Sequence, residues 1–292
     1  GGDSPLINST YKGTQKGLDF SIFNDTFRDA LRGNNNPGNG FINGDAHNSA
    51  NVRRVIDGLR GDSDNFIDKP VETINYVDAH DNYTLWDHLE KSQNHNIVSG
   101  SFRKNIPENI FECRRIRRNA LALGMILTAQ GIPFIHGGAE FLRTKQGDHN
   151  SYKSNDDVNA FHWSSKLRFE PFFDFVKGLI EIRKNHPAFR MKERETIAKH
   201  LSINSAHNDK TSGVIISHFK DNANGDIWKD IVIIYNSTAI DGFDVNEIIP
   251  KSSTGTWYIV VNHSRAGVDS IENVVDGKLP LLRSHSMLMI HS

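Results

Sequence analysis

The stretch Thr73–Leu85, TINYVDAHDNYTL, constrains the fold more than any other. Ile74, Tyr76 and Val77 make Thr73–Val77 a short buried strand. The strand runs straight into Asp78, His80, Asp81 and Asn82. Polar side chains gathered at the C-terminal end of a strand are what a (β/α) barrel site looks like, because such sites are assembled from the loops after successive strands. Alone, a His-Asp dipeptide also fits a capped turn, so the neighbouring segments decide.

Two further segments repeat the pattern. Asp19–Phe23, DFSIF, alternates, ends in Asn24-Asp25, and is followed by the first turns of a helix at Thr26–Leu31. Gly131–Phe141, GIPFIHGGAEF, reads as a strand at Pro133–Ile135 with a polar end, Glu140 lying just past it. Helical segments lie between and after them. Asn51–Leu59 carries Val52, Val55, Ile56 and Leu59 on one face, with Gly58 and Gly61 helping to end it. Trp86–Lys91 precedes a polar loop to Asn105. Pro107 opens a helix to about Gln130, with Ile110, Ile116, Ala120, Leu123 and Leu127 inward and Arg114, Arg115, Arg117 and Arg118 on an exposed outer face. Pro171–Lys184 is amphipathic through Phe172, Phe175, Leu179 and Ile182. This alternation predicts three parallel strands side by side, joined by right-handed crossovers.

The pattern changes near Arg190–Thr196. From Ile197 onward the apolar residues fall in short β-type runs at Val214–Ile216, Ile231–Tyr235, Trp257–Val261 and Ser286–Ile290. Turn residues such as Asn224-Gly225 and Ser264–Gly267 separate them, which predicts an antiparallel β-sandwich. The fold class is thus α/β plus all-β, divided as 1–191 and 192–292.

Composition excludes some partners. The 292 residues carry a net charge of −1, which gives no electrostatic reason for a nucleic-acid or acidic-membrane partner. No apolar run reaches the ~18 residues of a membrane span. Cys113 is the only cysteine, which forbids an intrachain disulfide and leaves the redox compartment open. The chain starts Gly1-Gly2-Asp3 and reads as a piece cut from something longer, so the lack of a signal peptide says nothing about location. Asn34–Asn48 is rich in side-chain oxygens. It is where a structural calcium would bind, but it has no regular ligand spacing and is expected to be a solvated loop.

YVDAHDNYTLWD resembles the fourth sequence region of the α-amylase superfamily of glycoside hydrolases, and looks most like type I pullulanases. Further motifs follow the same order. They are the FND..RD run at Phe23–Asp29, GIPFIHGGAEFLRTK, the loop Leu142–Trp163 with its Asn150–Tyr152 NSY, and the β-rich TWYIVVNHSRAG and LLRSHSMLMI. The resemblance covers essentially the whole chain. It implies strands six to eight of a (β/α)8 TIM barrel, then a C-terminal β-sandwich, in an enzyme that cleaves α-1,6-glucosidic linkages with retention. Such chemistry needs a nucleophilic carboxylate and a protonated carboxyl. In the family these lie on the fourth and fifth strands, before the region that this chain matches, and neither is present here. Asp81 would be the third carboxylate, holding hydroxyls of the distorted sugar, and His80 would donate to the same sugar. Arg28 would line the cleft, although a structural ion pair is as good a reading of it. Asn82, Asn150, Tyr152, Asp156 and Asn159 would serve neighbouring subsites. Tyr83 and Trp86 are expected to pack in the core. The implied partners are an α-glucan and the missing N-terminal part of the same enzyme, with no cofactor required. Three other readings stay open. One is a non-catalytic α-glucan-binding protein. Another is a metal-dependent phosphohydrolase built on His80-Asp81 and Asp87-His88. The third, within the enzyme class, is an isoamylase.

Overall fold

The computed structural model describes residues 12–18, 20–62, 66–93, 106–205, 213–275 and 278–292. Three short strands, β1 (Ile22–Phe23), β2 (Thr73–Asn75) and β3 (Ile132–Pro133), lie side by side in chain order and pair in parallel. Each is shorter than the sequence predicts, and Asp19 lies outside the described residues. Beyond Asn75 the ladder gives way to side-chain bonds. The Val77 carbonyl, for example, accepts from Arg32 Nε at 2.5 Å instead of from a neighbouring strand.

Register fixes what each face of this sheet presents. Phe23 pairs with Ile74 and Ile74 with Ile132, so the three share a face with Tyr76 and Phe134, two residues further along. The Phe23 ring meets Tyr76 at 4.8 Å and Phe134 at 5.3 Å between centroids. The other face carries Thr73 and Asn75, both fully buried. Asn75 Nδ2 donates to the Gln130 carbonyl at 2.7 Å and Gln130 Nε2 to the Ala188 carbonyl at 2.9 Å, which ties the sheet to the segments behind it.

Eight helices follow the strands among the described residues. α1 (Asp25–Arg32) is capped by Asn24 Oδ1, which accepts from Phe27 N at 3.0 Å, and α2 (Ser49–Leu59) is capped by Asn48. α3 is Leu85–Gln93, and α4 is Arg114–Thr128. α5 (Asp156–Asn159) and α6 (Ser164–Arg168) are short, α7 spans Glu170–Asn185, and α8 spans Arg194–His200.

Several expectations are corrected here. The helix expected from Pro107 begins at Arg114, because Cys113 is extended at ψ 112° and separates α4 from a 3-10 turn at Ile110–Glu112. The arginine run is not an exposed face. Arg114 is exposed and Arg115 and Arg118 are half-buried, but Arg117 is buried, with Nε and Nη2 on the Ser284 carbonyl and hydroxyl at 2.8 Å and Nη1 on the Phe111 carbonyl at 2.7 Å. A guanidinium's five donors suit it to a place where free carbonyls converge. Asn34–Asn48 is not simply a solvated loop either. Phe41, Ile42 and Asn43 are fully buried within it. The Asn35, Asn43 and Asn48 side-chain oxygens accept from Arg32, Gly40 N and the start of α2.

The β-rich region begins at Leu201, not Ile197, which belongs to α8. Its strands are β4 (Leu201–Ser205), β5 (Val214–Phe219), β6 (Ile231–Asn236), β7 (Thr256–Val261), β8 (Glu272–Val275) and β9 (Ser286–His291). Among the described residues they form one antiparallel sheet in the order β4-β5-β6-β9-β7-β8. Alternation sorts its side chains cleanly. Ile215, Ile233, Tyr235, Met287 and Met289 join the core that also holds Leu123, Leu179 and Phe27. Ile216, Val232, Ile234, Leu288 and Ile290 face a second cluster. That second face is covered by Phe243, Val245, Leu279 and Leu282 from connecting segments joined through a Phe243–Leu282 bridge, where the expected sandwich has a second sheet. On the first face Thr128 Oγ1 and Tyr235 Oη are 2.7 Å apart, so α4 is bonded to the sheet as well as packed on it.

Candidate active site

Two clamps hold the segment after β2. The first comes from α1. Tyr76 Oη donates to Asp25 Oδ1 at 2.6 Å and accepts from Arg28 Nη1 at 2.5 Å, while Arg28 Nε donates to Asp29 Oδ1 at 2.7 Å. The guanidinium also lies over the Tyr76 ring at 5.3 Å, a favourable cation–π position. Burial pushes the Asp25 carboxyl up, but hydrogen bonds from Lys12 and Tyr76 outweigh it and hold the group below its ordinary value. Burial and the bond to Asp25 push the Tyr76 phenol up.

One turn further along α1, Arg32 is buried and donates Nη1 to His88 Nδ1 at 2.6 Å. A guanidinium only donates, so His88 Nδ1 is the acceptor and its Nε2–H donates to the Arg32 carbonyl at 2.7 Å. Burial, and then the Arg32 charge, lower the His88 pKa to about 3, and the ring is neutral.

The second clamp comes from the long loop after β3. Asp78 is buried, accepts from Leu85 N at the start of α3 at 2.8 Å, and faces His136 Nδ1 at 3.4 Å. His136 Nε2 accepts from Arg143 Nη1 at 3.2 Å, and Arg143 Nη2 donates to the Asn159 carbonyl at 2.6 Å. Asp87 accepts from Thr144 Oγ1 and, at 2.7 Å, from Lys145 N. Lys145 is 2% exposed and donates Nζ to the His80 carbonyl at 3.0 Å. The loop is therefore fastened beside His80.

His80 and Asp81 stand out from this frame. Nε2 of His80 meets Oδ1 of Asp81 at 3.3 Å, and the side chains are 87% and 76% exposed. Such a pair can accept from and donate to the hydroxyls of a bound molecule. Asn82 follows at φ 60°, a left-handed conformation that asparagine tolerates better than most residues.

The other sequence candidates divide. Asn150 and Asp156 are exposed, and Tyr152 is 74% exposed with the Lys153 ammonium over its ring. Asn159 braces the loop, its amide donating to the Ser151 and Ser154 carbonyls at 2.7 and 2.9 Å. Trp86 is in the core, and half-buried Tyr83 packs near His149. Among the described residues no hydrogen bond joins Arg28 to His80 or Asp81; Arg28 reaches this region through Tyr76. Asp87 and His88 are bonded to Thr144, Lys145 and Arg32, and no group of three or more metal-ligating side chains is found among the described residues. Among the described residues, therefore, the phosphohydrolase reading finds no ligand set.

Sequence reasoning did not single out Tyr76, Arg143 or Lys145, or give Asp78 and Asp87 their bracing roles. A signal existed for Asp78, an aspartate just past a strand and a short loop ahead of a helix start.

No family model matches the chain. Relatives and structural neighbours are nevertheless consistent. The pullulanase of Bacillus subtilis is 36% identical over 224 residues, which is 74% of this chain and 28% of that protein. The isoamylase of a Flavobacterium is 35% identical over 133 residues, 42% of this chain and 17% of that protein. The structure of the pullulanase from Bacillus acidopullulyticus superposes with a TM-score of 0.82 at 34% identity, covering 100% of this chain and 33% of that one. The pullulanase of Anoxybacillus sp. LM18-11 complexed with maltotriose gives 0.75 at 29%, covering 93% of this chain and 34% of that one. Fold and relatives together define the starch-debranching glycoside hydrolases as the class to which this chain is kin. Within that class it is a relative of the type I pullulanases, and it spans 28% of the Bacillus subtilis pullulanase, 17% of the Flavobacterium isoamylase and 33% of the Bacillus acidopullulyticus chain.

Proposed function

We propose that this chain is part of a debranching glycoside hydrolase that cleaves α-1,6-glucosidic linkages in pullulan and branched α-glucans with retention. Residues 1–191 are the closing strands, six to eight, of its (β/α)8 barrel, and 192–292 its C-terminal β domain. The exposed His80–Asp81 pair at the end of β2, held from both sides by buried polar groups, carries the reading. Asp81 holds hydroxyls of the distorted sugar and favours the oxocarbenium-like transition state, and His80 donates to the same sugar. Asn82, Asn150, Tyr152 and Asp156 contact neighbouring sugars. Arg28 and Asn159 position the walls. The maltotriose complex of the Anoxybacillus neighbour supports an α-glucan as the ligand.

The nucleophile and the acid/base come from polypeptide outside these residues, so the chain alone does not turn over substrate. The parallel sheet supports this. Its face bearing Phe23 and Ile132, each 41% exposed, is the kind of surface that closing a barrel covers. The test is release of reducing ends from pullulan by the intact protein. Asp81→Asn keeps the shape and removes the charge, and is expected to lower kcat on the order of 100-fold or more. Near-normal kcat in that variant overturns the role of Asp81. Robust turnover by residues 1–292 alone overturns the assignment of the missing groups.

A further inference from the structure

The second face of the β sheet ends in a cavity that the fold leaves open. Trp257 on β7 pairs with Val274 on β8, the edge strand, and both belong to the cluster on the face turned away from the helical layer. With Ile249 and Leu279 they form the apolar walls of a cavity of about 520 Å³. That volume lies within the range of about 300–1,000 Å³ in which proteins hold small ligands. The polar lining is Asn246, Lys251, Ser252 and Lys278, with no carboxylate among it.

The walls are fixed by bonds of their own. Asn246 Oδ1 accepts from Leu279 N at 2.7 Å and its Nδ2 donates to the Leu279 carbonyl at 3.3 Å, which joins two connecting segments at the cavity. Ser252 Oγ donates to the Thr256 carbonyl at 2.7 Å and ties a third segment to β7. The donors that stay open are on other residues. Trp257 is 7% exposed, and its indole N–H donates to no group among the described residues. A tryptophan set this deep usually finds a partner for that N–H. The nitrogen is not sealed in by protein either, so it opens on the cavity that the ring lines. Lys251 and Lys278 are exposed at the rim, and neither ammonium forms an ion pair among the described residues. Apolar walls with three open donors and no acidic side chain suit a ligand that has apolar faces and many acceptor oxygens.

We propose that this cavity binds a short segment of an α-glucan chain, as a second hold on the polymeric substrate. The inference rests on the reading of the protein as a debranching enzyme. A glucose ring brings apolar C–H faces to Trp257, Ile249 and Leu279, and its hydroxyl oxygens accept from the indole N–H and the two ammoniums. None of these residues belongs to the candidate active site. A polymer held at two places is bound more tightly than either place alone would hold it.

The experiment uses the intact protein. Calorimetric titration with maltotetraose measures the number and strength of the sites, and hydrolysis of pullulan is followed in the same variants. Trp257→Phe keeps an aromatic ring and removes the N–H. It is expected to weaken one class of maltotetraose site roughly five-fold or more, as loss of a hydrogen bond does, and to leave the other sites unchanged. Lys278→Ala, on the exposed rim, is expected to act in the same direction. In both variants KM for pullulan rises and kcat stays as it was, a split that a general loss of folding would not give. Arg54→Gln, exposed on α2, is expected to change neither. Should Trp257→Phe fail to fold, Lys278→Ala carries the test. Maltotetraose binding of unaltered number and strength in the folded variants overturns the second site, whether or not pullulan is cleaved. Failure of the intact parent to cleave pullulan counts against the debranching reading instead.

Discussion

Arg28 on α1 donates to the hydroxyl of Tyr76, 2.5 Å away at the end of β2, and the same hydroxyl donates to Asp25. One phenol thus couples the helix after β1 to the strand end that leads into Asp78, His80 and Asp81. Arg28 acts on the candidate site through this coupling, which orients its guanidinium and sets the position of the backbone ahead of the exposed pair.

Tyr76→Phe removes both bonds and leaves the ring in place. Tyr76 is buried, but Arg28 keeps Asp29 and Asp25 keeps Lys12, so only part of the network is lost. The expected cost is about 1–2 kcal/mol of stability by urea unfolding. In the intact protein, activity on pullulan is expected to fall by more than the loss of folded molecules explains. Equal stability in the variant and the parent would show that the three groups are not coupled.

Asp78 is the second brace. Its carboxylate caps α3 at Leu85 and faces His136, which carries on to Arg143 and the Asn159 carbonyl. Asp78→Ala leaves the buried Leu85 N–H and a buried imidazole donor unanswered, while Thr84 still caps α3 at Asp87 N, at a cost of about 1–3 kcal/mol. Hydrogen exchange is expected to speed up at Leu85 and along 136–143 while the β6 and β9 amides stay protected. Uniform acceleration throughout the chain would contradict a local brace.

The difference between what was legible and what was not follows from the physics of each segment. β-branched and aromatic runs ending in polar residues marked the three parallel strands, and short apolar β-type runs between turn residues marked β5, β6, β7 and β9, because burial on one or both faces selects those residues directly. The arginines of α4 misled, because a sequence shows a charge but not the carbonyls of Phe111 and Ser284 that make Arg117 stable when buried. The loop around Phe41 was hidden by its asparagines, whose amides pair inside the fold as Asn43 does with Arg32, Gly38 and Ser92. The exposed pair His80–Asp81 was readable from its motif. Its supports were not, since Lys145 and Asp87 are far apart in sequence and meet only after the loop folds back.

Stability is expected to fall as the pH drops below neutrality. His88, fully buried, and His285, 3% exposed, both have pKa values lowered to about 3, in each case first by burial and then by neighbouring arginines. Between pH 6.5 and about 3 the unfolded chain takes up protons that the folded chain refuses, so unfolding gains at lower pH. Each group adds a slope of about 1.4 kcal/mol per pH unit in that window. Asp25 acts in a separate range, because its lowered pKa makes its contribution disappear only as the pH falls below the ordinary aspartate value. Urea unfolding at pH 7.0, 6.0 and 5.0 measures the slope, and His88→Gln is expected to make it shallower. A flat profile from 7.0 to 5.0 would mean that these rings protonate in the folded state.

Two helical glycines give opposite expectations for the same substitution. Replacing glycine by alanine inside a helix ordinarily stabilises by roughly 0.5–1 kcal/mol, because the unfolded chain loses freedom. Gly178 on α7 packs directly on the backbone after β7, where an added Cβ would overlap the Ala266 carbonyl. That carbonyl belongs to a segment tied down by the Val261–Ala266 bridge, so α7 and the sheet must separate to admit a methyl group. Gly124 on α4 faces the sheet too, but there the Cβ would meet Met287 Sδ at 2.9 Å, the end of a flexible side chain. Gly178→Ala is therefore expected to cost about 1–3 kcal/mol or more, as overpacking does, and Gly124→Ala to fall within about 1 kcal/mol of the parent. Chemical denaturation of the two variants side by side measures the difference. A Gly178→Ala protein as stable as the parent would show that α7 does not rest on the β7 turn, and that the contact between the helical layer and the sheet is looser than described.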